Sequence, residues 1–573
     1  MSWKNTYETW LSNANLESYL KDELVSLAGQ EDKLEDAFYT PLEFGTAGMR
    51  GFIGAGINRM NLYTVRQATE GLARLMETKG EEKKRGVAIA YDSRHFSPEF
   101  AMEAAKVLAK HDIPSFVFES LRPTPELSFA VREHNALTGI MITASHNPAA
   151  YNGYKVYGED GGQMPPHDAD ALTKFVREIN DLFAIEVADE AAAKSAGLIN
   201  VIGETVDNKY LELIKDVTIN QKLIDEYGKD LKLVFTPLHG TGEMLGRKAL
   251  AQAGFTSIAV VEEQAIPDGA FPTVKSPNPE EKSAFAMAIA LGEKEGADVL
   301  VATDPDADRL GVAVRLPNGE YEVLSGNQIG AILIKYILEA HKQAGTLPAN
   351  AAVLKSIVSS ELPTAIAKSY GVVMMNVLTG FKFIAEKIQH FEDTGENTYM
   401  FGFEESYGYL VKPFVRDKDA IQALLLTAEV AAYYKSLGKT LYDGIQDIYK
   451  EYGYFTEKTI SVTLAGKDGS EKIKALMAKF RSQAPSEFGG INVAIAEDYK
   501  SNTRSFTGGK VEEMTTPPSD VLKYILEDGS WIAVRPSGTE PKIKFYLAAQ
   551  ADSLKASDDK IAAFEASVNE ITA

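Results

Sequence analysis

The sequence predicts an α/β protein: three similar doubly wound mixed α/β domains followed by a C-terminal antiparallel α+β domain. Three observations carry that expectation. A length of 573 residues, at about 150 residues per domain, suggests roughly four domains. Short β-rich runs alternate with helical stretches in three successive sets, as in doubly wound layers. From about Phe455 the pattern changes to strand candidates with little helix between the later ones.

Each element follows from local pattern. From about Ser2 to Asp36, apolar residues recur at helical spacing through Trp10, Leu11, Leu16, Leu20, Leu24 and Leu27. The first set has Gly86–Tyr91, Ser115–Phe118 and Leu137–Ile142, the last running into Thr143–Pro148. The second has Leu231–Phe235, Ser257–Val261 and Ala297–Ala302, ending in Asp304–Arg309. The third has Ala352–Ile357, Val372–Val377 and Asn397–Phe401, ending in Gly402–Ser406. Helical candidates such as Glu281–Glu295 and Gly330–Ala340 lie between strands. The last unit offers strands at Thr456–Leu464, Val521–Leu526, Ser530–Val534 and Lys542–Ala549, closed by a helix near Ser553–Ile571. The expected domains are 1–205, 206–325, 326–452 and 453–573. Functional loops of such sheets sit beyond the carboxyl ends of strands, which is where the three polar loops fall.

Composition excludes whole classes. With 45% hydrophobic and 24% charged residues, the chain is neither disordered nor collagen-like. Zero cysteines remove disulfides, cysteine-based zinc sites, iron–sulfur clusters and thiol catalysis. A net charge of -22 disfavours nonspecific binding to nucleic acid or anionic lipid. An anionic substrate would therefore need a local basic pocket. No apolar run approaches the roughly 18 residues of a membrane span, and Met1–Trp10 lacks a signal-peptide core. The expectation is a cytoplasmic protein with no nucleic-acid or membrane partner; the sequence leaves its oligomeric state open.

Four loops carry chemistry. Thr143–Pro148 (TASHNP) puts Ser145 beside His146 at a strand end, exposing a hydroxyl that could accept or carry a phosphoryl group. The hexapeptide alone equally suits an Asn-Pro turn with capping hydroxyls. A Ser-His-Asp hydrolase is disfavoured because Gly-x-Ser-x-Gly is missing. Asp304–Arg309 (DPDADR) alternates three carboxylates, hard oxygen ligands that suit Mg²⁺. An EF-hand fails because Arg315 occupies the position that needs Glu. Gly402–Ser406 (GFEES) offers acceptors for sugar hydroxyls, although acidic turns are common. Arg535–Lys542 (RPSGTEPK) combines a guanidinium, hydroxyls and a Gly-permitted backbone approach, a cradle for phosphate; the same residues also make a good hairpin turn. Together they point to phosphoryl transfer on a phosphosugar.

In this order, the four loops resemble those of the α-D-phosphohexomutase superfamily, in its longer branch. Phe44–Gly51, Tyr91–Arg94, Arg122–Pro125, Tyr151–Tyr157, Thr236–Gly242, Pro277–Glu280 and Thr379–Lys382 extend the resemblance nearly end to end. It implies four domains around a central cleft, each giving one loop. Ser145 would be the phosphoserine, and its phosphate with Asp304, Asp306 and Asp308 would hold one Mg²⁺. Arg50 and Lys155 would lie near the transferring phosphate, Arg309 would close the metal loop and bind substrate, His146 would tune or position the serine, and Lys382, with Lys155 the other candidate base, would exchange a proton with the sugar hydroxyl. Thr379, Gly380, Glu404 and Ser406 would face the sugar; Arg535, Ser537, Gly538 and Thr539 would hold the non-reacting phosphate. The implied reaction interconverts hexose 1- and 6-phosphates, glucose foremost, with glucose 1,6-bisphosphate as intermediate and activator.

Two departures stand out. Pro305 replaces a common family Gly, and Tyr407-Gly408 follows the sugar loop where several dual-specificity bacterial enzymes have Gly-His. Rival readings are a phosphopentose or phosphomannose mutase, a glucose-1,6-bisphosphate synthase, and a catalytically silent phosphosugar-binding protein.

Overall fold

Several helix starts are specified by side chains. Asn61 accepts from the amides of Tyr63 and Thr64 at the start of Leu62–Glu77, and Thr64 answers by accepting from the Asn61 amide. Ser325 with Gln328, and Thr440 with Asp443, build the same reciprocal box at Gly326–Gln343 and Leu441–Tyr452. Such a cap contributes about 1 kcal/mol, because the first amides of a helix have no partner within it. A computed structural model describes residues 2–45, 48–464, 469–537 and 542–572.

Three mixed sheets come first. The six-stranded sheet runs in the order Met49–Phe52, Tyr151–Tyr157, Thr138–Ile142, Val87–Tyr91, Ser115–Phe118, Ile199–Ile202. Its strands from Thr138–Ile142 to Ile199–Ile202 pair in parallel; Tyr151–Tyr157 and Met49–Phe52 add an antiparallel flank. The second sheet orders Tyr321–Val323, Leu310–Arg315, Val299–Thr303, Leu233–Thr236, Ile258–Val260. The third orders Val373–Val377, Ala351–Ser356, Thr398–Glu404, Gly408–Leu410. Ser145, Asp304 and Glu404 all fall at carboxyl ends of strands, so the sheets point their loops at one another. The third strand runs through Glu404, three residues beyond the sequence expectation, because Glu404 still pairs with Gly408 across a tight turn.

The C-terminal unit is an antiparallel sheet ordered Tyr454–Thr463, Lys542–Ala551, Trp531–Pro536, Leu522–Leu526, Ile491–Asp498, Thr503–Phe506, Val511–Glu513. It carries the expected closing helix, Leu554–Thr572, and also a helix the sequence reading lacked, Gly469–Ser482. Its core is its own, built on Phe488, Ile532, Val534, Ile543, Phe545 and Phe564.

One buried cluster joins the first three domains. The helix Ala420–Ser436 lies within it, packed on Gly242–Ala253 and Gln221–Tyr227 of the second domain. It is apolar nearly all round (AIQALLLTAEVAAYYKS), as a helix enclosed by neighbours must be. The fourth domain meets the third through a smaller cluster: Ile357, Val358 and Leu378 against Tyr499, Val521, Trp531, Ala533, Tyr546 and Ala548. Burying one large side chain contributes roughly 1.5–3 kcal/mol, so this seam is weaker than the continuous core beneath the first three domains. Among the described residues, no helix is long and apolar enough to cross a membrane.

Candidate active site

The serine loop is built around a buried arginine. Ser145 has φ 52, a left-handed conformation that costs a non-glycine residue on the order of 1 kcal/mol. Arg94, 1% exposed, holds it there. Its Nη2 donates to the carbonyls of Ser145 (2.6 Å) and Asn147, and its Nη1 to those of Pro148 (2.9 Å) and Tyr151 (3.0 Å). Asp92 faces Arg94 Nε at 3.3 Å and accepts from Thr143 Oγ1 at 2.6 Å; Thr143 Oγ1 in turn accepts from the Ser145 amide at 2.8 Å. Every carbonyl turned inward by the sharp backbone thus finds a donor.

Ser145 Oγ then donates to Asp304 Oδ2 at 2.8 Å and lies 3.2 Å from His146 Nδ1. This contact joins the first domain to the second. Burial, with Arg309 and Arg50 nearby, holds the His146 pKa well below its ordinary value, so the ring is neutral at pH 7. Arg50, exposed at the edge strand, donates to Asn147 Oδ1 at 3.0 Å.

The Asp304–Arg309 loop is equally fixed. Asp304 Oδ1 accepts the amides of Asp308 (3.2 Å) and Arg309 (3.1 Å), Ala307 takes φ 48, and Pro305 O accepts from Thr241 N and Oγ1. Asp306 O and Oδ2 accept from the Thr124 amide and hydroxyl. Asp304, Asp306 and Asp308 are at most 2% exposed, with one oxygen of each within 4.8 Å of the others. Asp306 Oδ1 and Asp308 Oδ1 are buried with no hydrogen-bond partner among the described residues. Two orphaned carboxylate oxygens beside Ser145 Oγ and Asp304 Oδ2 form an all-oxygen, hard-ligand set, and these residues fit Mg²⁺. Burial, then repulsion from Asp306 and Asp308, drives the Asp304 pKa well up; a divalent cation would reverse that pressure.

Two lysines flank the aspartates. Lys155 Nζ lies 2.9 Å from Asp306 Oδ2 and 3.8 Å from Asp308 Oδ2. Burial works against the Asp306 carboxylate, but Lys155 more than offsets it and holds the pKa far down. Lys418 Nζ sits 2.8 Å from Asp308 Oδ2 and 3.2 Å from Asp417 Oδ1. Burial opposes its charge, yet Asp308 and Asp417 push its pKa up. Its stem occupies the space a Cβ on Gly408 would take, 2.0 Å from Lys418 Cδ, so only glycine fits at 408. Arg309 pairs with Glu280 at 2.5 Å.

In the third domain, Glu404 Oε1 accepts the Gly380 amide at 2.7 Å. Burial and Glu405 raise the Glu404 pKa. Glu405 turns the other way, accepting from Ser356 Oγ (2.8 Å) and Ser359 Oγ (3.3 Å). Ser406 is half-buried in the turn, and the buried Thr379 Oγ1 has no partner among the described residues. Lys382 opens the helix Phe381–Thr394, and burial lowers its pKa. In the fourth domain, Arg535 Nη1 donates to Tyr546 OH at 3.4 Å, and the Ser537 amide to Lys542 O at 2.8 Å. Gly538 and Thr539 lie outside the described residues.

Direct bonds or ion pairs therefore join Ser145, His146, the three aspartates, Lys155 and Arg309, and link Glu404 to Gly380. Sequence reasoning placed Arg94 and Thr124 in motifs that carry the resemblance but gave them no site role, and it missed Asp417 and Lys418. The charge run Arg416–Asp419, following an apolar segment, was the available signal for the last two.

Profiles of the phosphoglucomutase/phosphomannomutase domains match in chain order: alpha/beta/alpha domain I at 41–182, II at 208–318, III at 325–452, and the C-terminal domain at 490–564. A Staphylococcus aureus phosphoglucomutase is 40% identical over 542 residues, 94% of this chain and 95% of that one. The open form of the Paramecium phosphoglucomutase pp63/parafusin has a similar fold, with TM-score 0.67 at 18% identity over 93% of this chain and 95% of that one. Aspergillus fumigatus N-acetylphosphoglucosamine mutase, solved with GlcNAc-6P and magnesium, gives TM-score 0.52 at 15% identity over 93% and 97%.

Proposed function

Since this chain belongs to the phosphoglucomutase/phosphomannomutase family and is an isomerase of the phosphotransferase kind, we propose that it interconverts glucose 1-phosphate and glucose 6-phosphate through a phosphoserine at Ser145. One observation carries the reading: Ser145 Oγ is 2.8 Å from Asp304, within a buried aspartate triad in which two oxygens accept no hydrogen bond among the described residues. The glucose assignment rests on the curated relative at 40% identity. The GlcNAc-6P and magnesium of the Aspergillus enzyme support the coarser reading of a metal-assisted phosphosugar site.

A hydroxyl oxygen of the bound sugar phosphate forms a bond to phosphorus as the Ser145 Oγ–P bond breaks. This yields glucose 1,6-bisphosphate and a free serine. The bisphosphate reorients, and its other phosphoryl group returns to Ser145. Such transfers depend on positioning and charge neutralisation. Bound Mg²⁺ would supply charge neutralisation on the transferring phosphoryl oxygens through Ser145, Asp304, Asp306 and Asp308. Arg94 fixes the direction of Oγ, while Lys155 helps keep Asp306 ionised and Lys418 pairs with Asp308. Lys382, its basicity lowered by burial, takes the proton of the attacking hydroxyl, and neutral His146 orients Oγ. Thr379, Gly380, Glu404 and Ser406 read the sugar. Arg50, Arg309 and the clamp of Arg535, Ser537, Gly538 and Thr539 hold phosphate.

Phosphorus NMR of the purified enzyme with Mg²⁺ and glucose, mannose or ribose 1-phosphate tests the assignment. Glucose 1-phosphate should give the highest kcat/KM; a faster ribose or mannose substrate overturns it.

A further inference from the structure

A polar cavity opens at the far end of the sugar-loop hairpin, with a volume of ≈ 190 Å³. Thr398, Tyr399 and Met400 line it at the start of the strand that ends in Glu404. Four to six residues at about 3.3 Å each put it some 13–20 Å from the sugar loop. Ile219, Ile337, Pro348 and Val411 supply apolar wall; among the described residues, Lys412 and His341 are its cationic groups and no carboxylate lines it. In a chain of net charge -22, that is a local inversion of sign.

Lys412 is anchored by its backbone. Its amide donates to Gln422 Oε1 at 2.6 Å and its carbonyl accepts from Gln422 Nε2 at 3.2 Å. Its Nζ makes no hydrogen bond or ion pair among the described residues, although the side chain is half-buried. Burial lowers its pKa, and Asp216 and Glu429 oppose that only through space, without a direct bond. Glu429 already accepts from the amides of Ile219 (3.0 Å) and Asn220 (2.7 Å) and from Tyr336 OH (2.6 Å), and Asp216 is exposed. His341 Nδ1 is engaged by Thr346 Oγ1 at 2.9 Å, leaving Nε2 available. A half-desolvated ammonium is stabilised only by an opposite charge or strong acceptors.

We propose that this pocket binds a small organic monocarboxylate, its oxygens on Lys412 Nζ and His341 Nε2 and its apolar body against Ile219, Ile337, Pro348 and Val411. Burial first, then Lys412, lowers the His341 pKa. One ammonium beside an imidazole whose protonation is disfavoured matches a monoanion better than a phosphate dianion, and the apolar walls favour an organic body over an inorganic ion.

Calorimetric titration of the full chain with sodium benzoate and with benzyl alcohol, its uncharged analogue, tests this without any turnover. Saturable benzoate binding is expected, at least tenfold tighter than benzyl alcohol. Lys412→Met should weaken benzoate at least tenfold, His341→Gln should weaken it less, and saturating glucose 1-phosphate should leave it unchanged. Equal affinity for the alcohol, no saturable binding, full retention in Lys412→Met, or competition by glucose 1-phosphate would each overturn the proposal. Because the first comparison uses the unaltered protein, a folding defect in a variant cannot rescue the proposal.

Discussion

At the residue scale, Arg94 explains why the serine loop can hold a strained shape. Five groups converge on one guanidinium: four carbonyls and Asp92. Arg94→Met leaves Asp92 buried and unpaired, a change that costs about 3–5 kcal/mol. Urea denaturation should show that loss. Where the variant folds, kcat should fall about 100-fold, because a displacement near 1 Å suffices for that. Ser145→Ala should abolish turnover yet leave sugar-phosphate binding within a few-fold, measured calorimetrically. The serine and the aspartates were legible in the sequence because each set lies in one contiguous loop. The role of Arg94, although its motif was noted, was not, because its partners are backbone carbonyls more than fifty positions downstream that any residue types could supply. Lys418 was hidden for a related reason: only the close approach of Gly408 brings its ammonium to Asp308.

At the element scale, the strand Tyr454–Thr463 joins the weakly packed fourth domain to the rest. Its Glu457 is enclosed by Ser360, Asn327, Lys355 and Glu361, and one carboxylate oxygen has no partner among the described residues. Burial pushes its pKa up from 4.5 to about 7. The folded state therefore holds a proton that the unfolded chain releases, and stability falls as pH rises from about 4.5 to about 7. The contribution is about 3 kcal/mol. Urea midpoints at pH 5 and pH 8 should differ less in Glu457→Gln than in the parent, with the variant the more stable at pH 8. The neighbouring segment also connects sites: Ser356 and Ser359 hold Glu405, while Ile357 O accepts from Lys523 Nζ of the fourth domain at 2.8 Å. The layers were legible because strand and helix periods alternate cleanly. The antiparallel flank Tyr151–Tyr157 and the helix Gly469–Ser482 were not, since each depends on a tertiary partner.

At the scale of the molecule, a net charge of -22 coexists with a buried aspartate cluster that Lys155, Arg309 and Lys418 reach from three domains. A global sign cannot report such convergence, because fields are set by local geometry. The aspartate triad makes a second whole-molecule prediction. A ligand that binds only the folded state at a hundredfold excess over its Kd stabilises by about 2.7 kcal/mol. Mg²⁺ should therefore raise the Tm and EDTA reverse it, with the response lost in Asp308→Asn.

The phosphoserine itself is tested most directly by intact-mass analysis with peptide mapping after incubation with glucose 1,6-bisphosphate and Mg²⁺. The predicted result is a gain of about 80 Da, one phosphoryl group, located on Ser145. Turnover by a protein that never gains this mass, or gains it at another residue, would contradict the account.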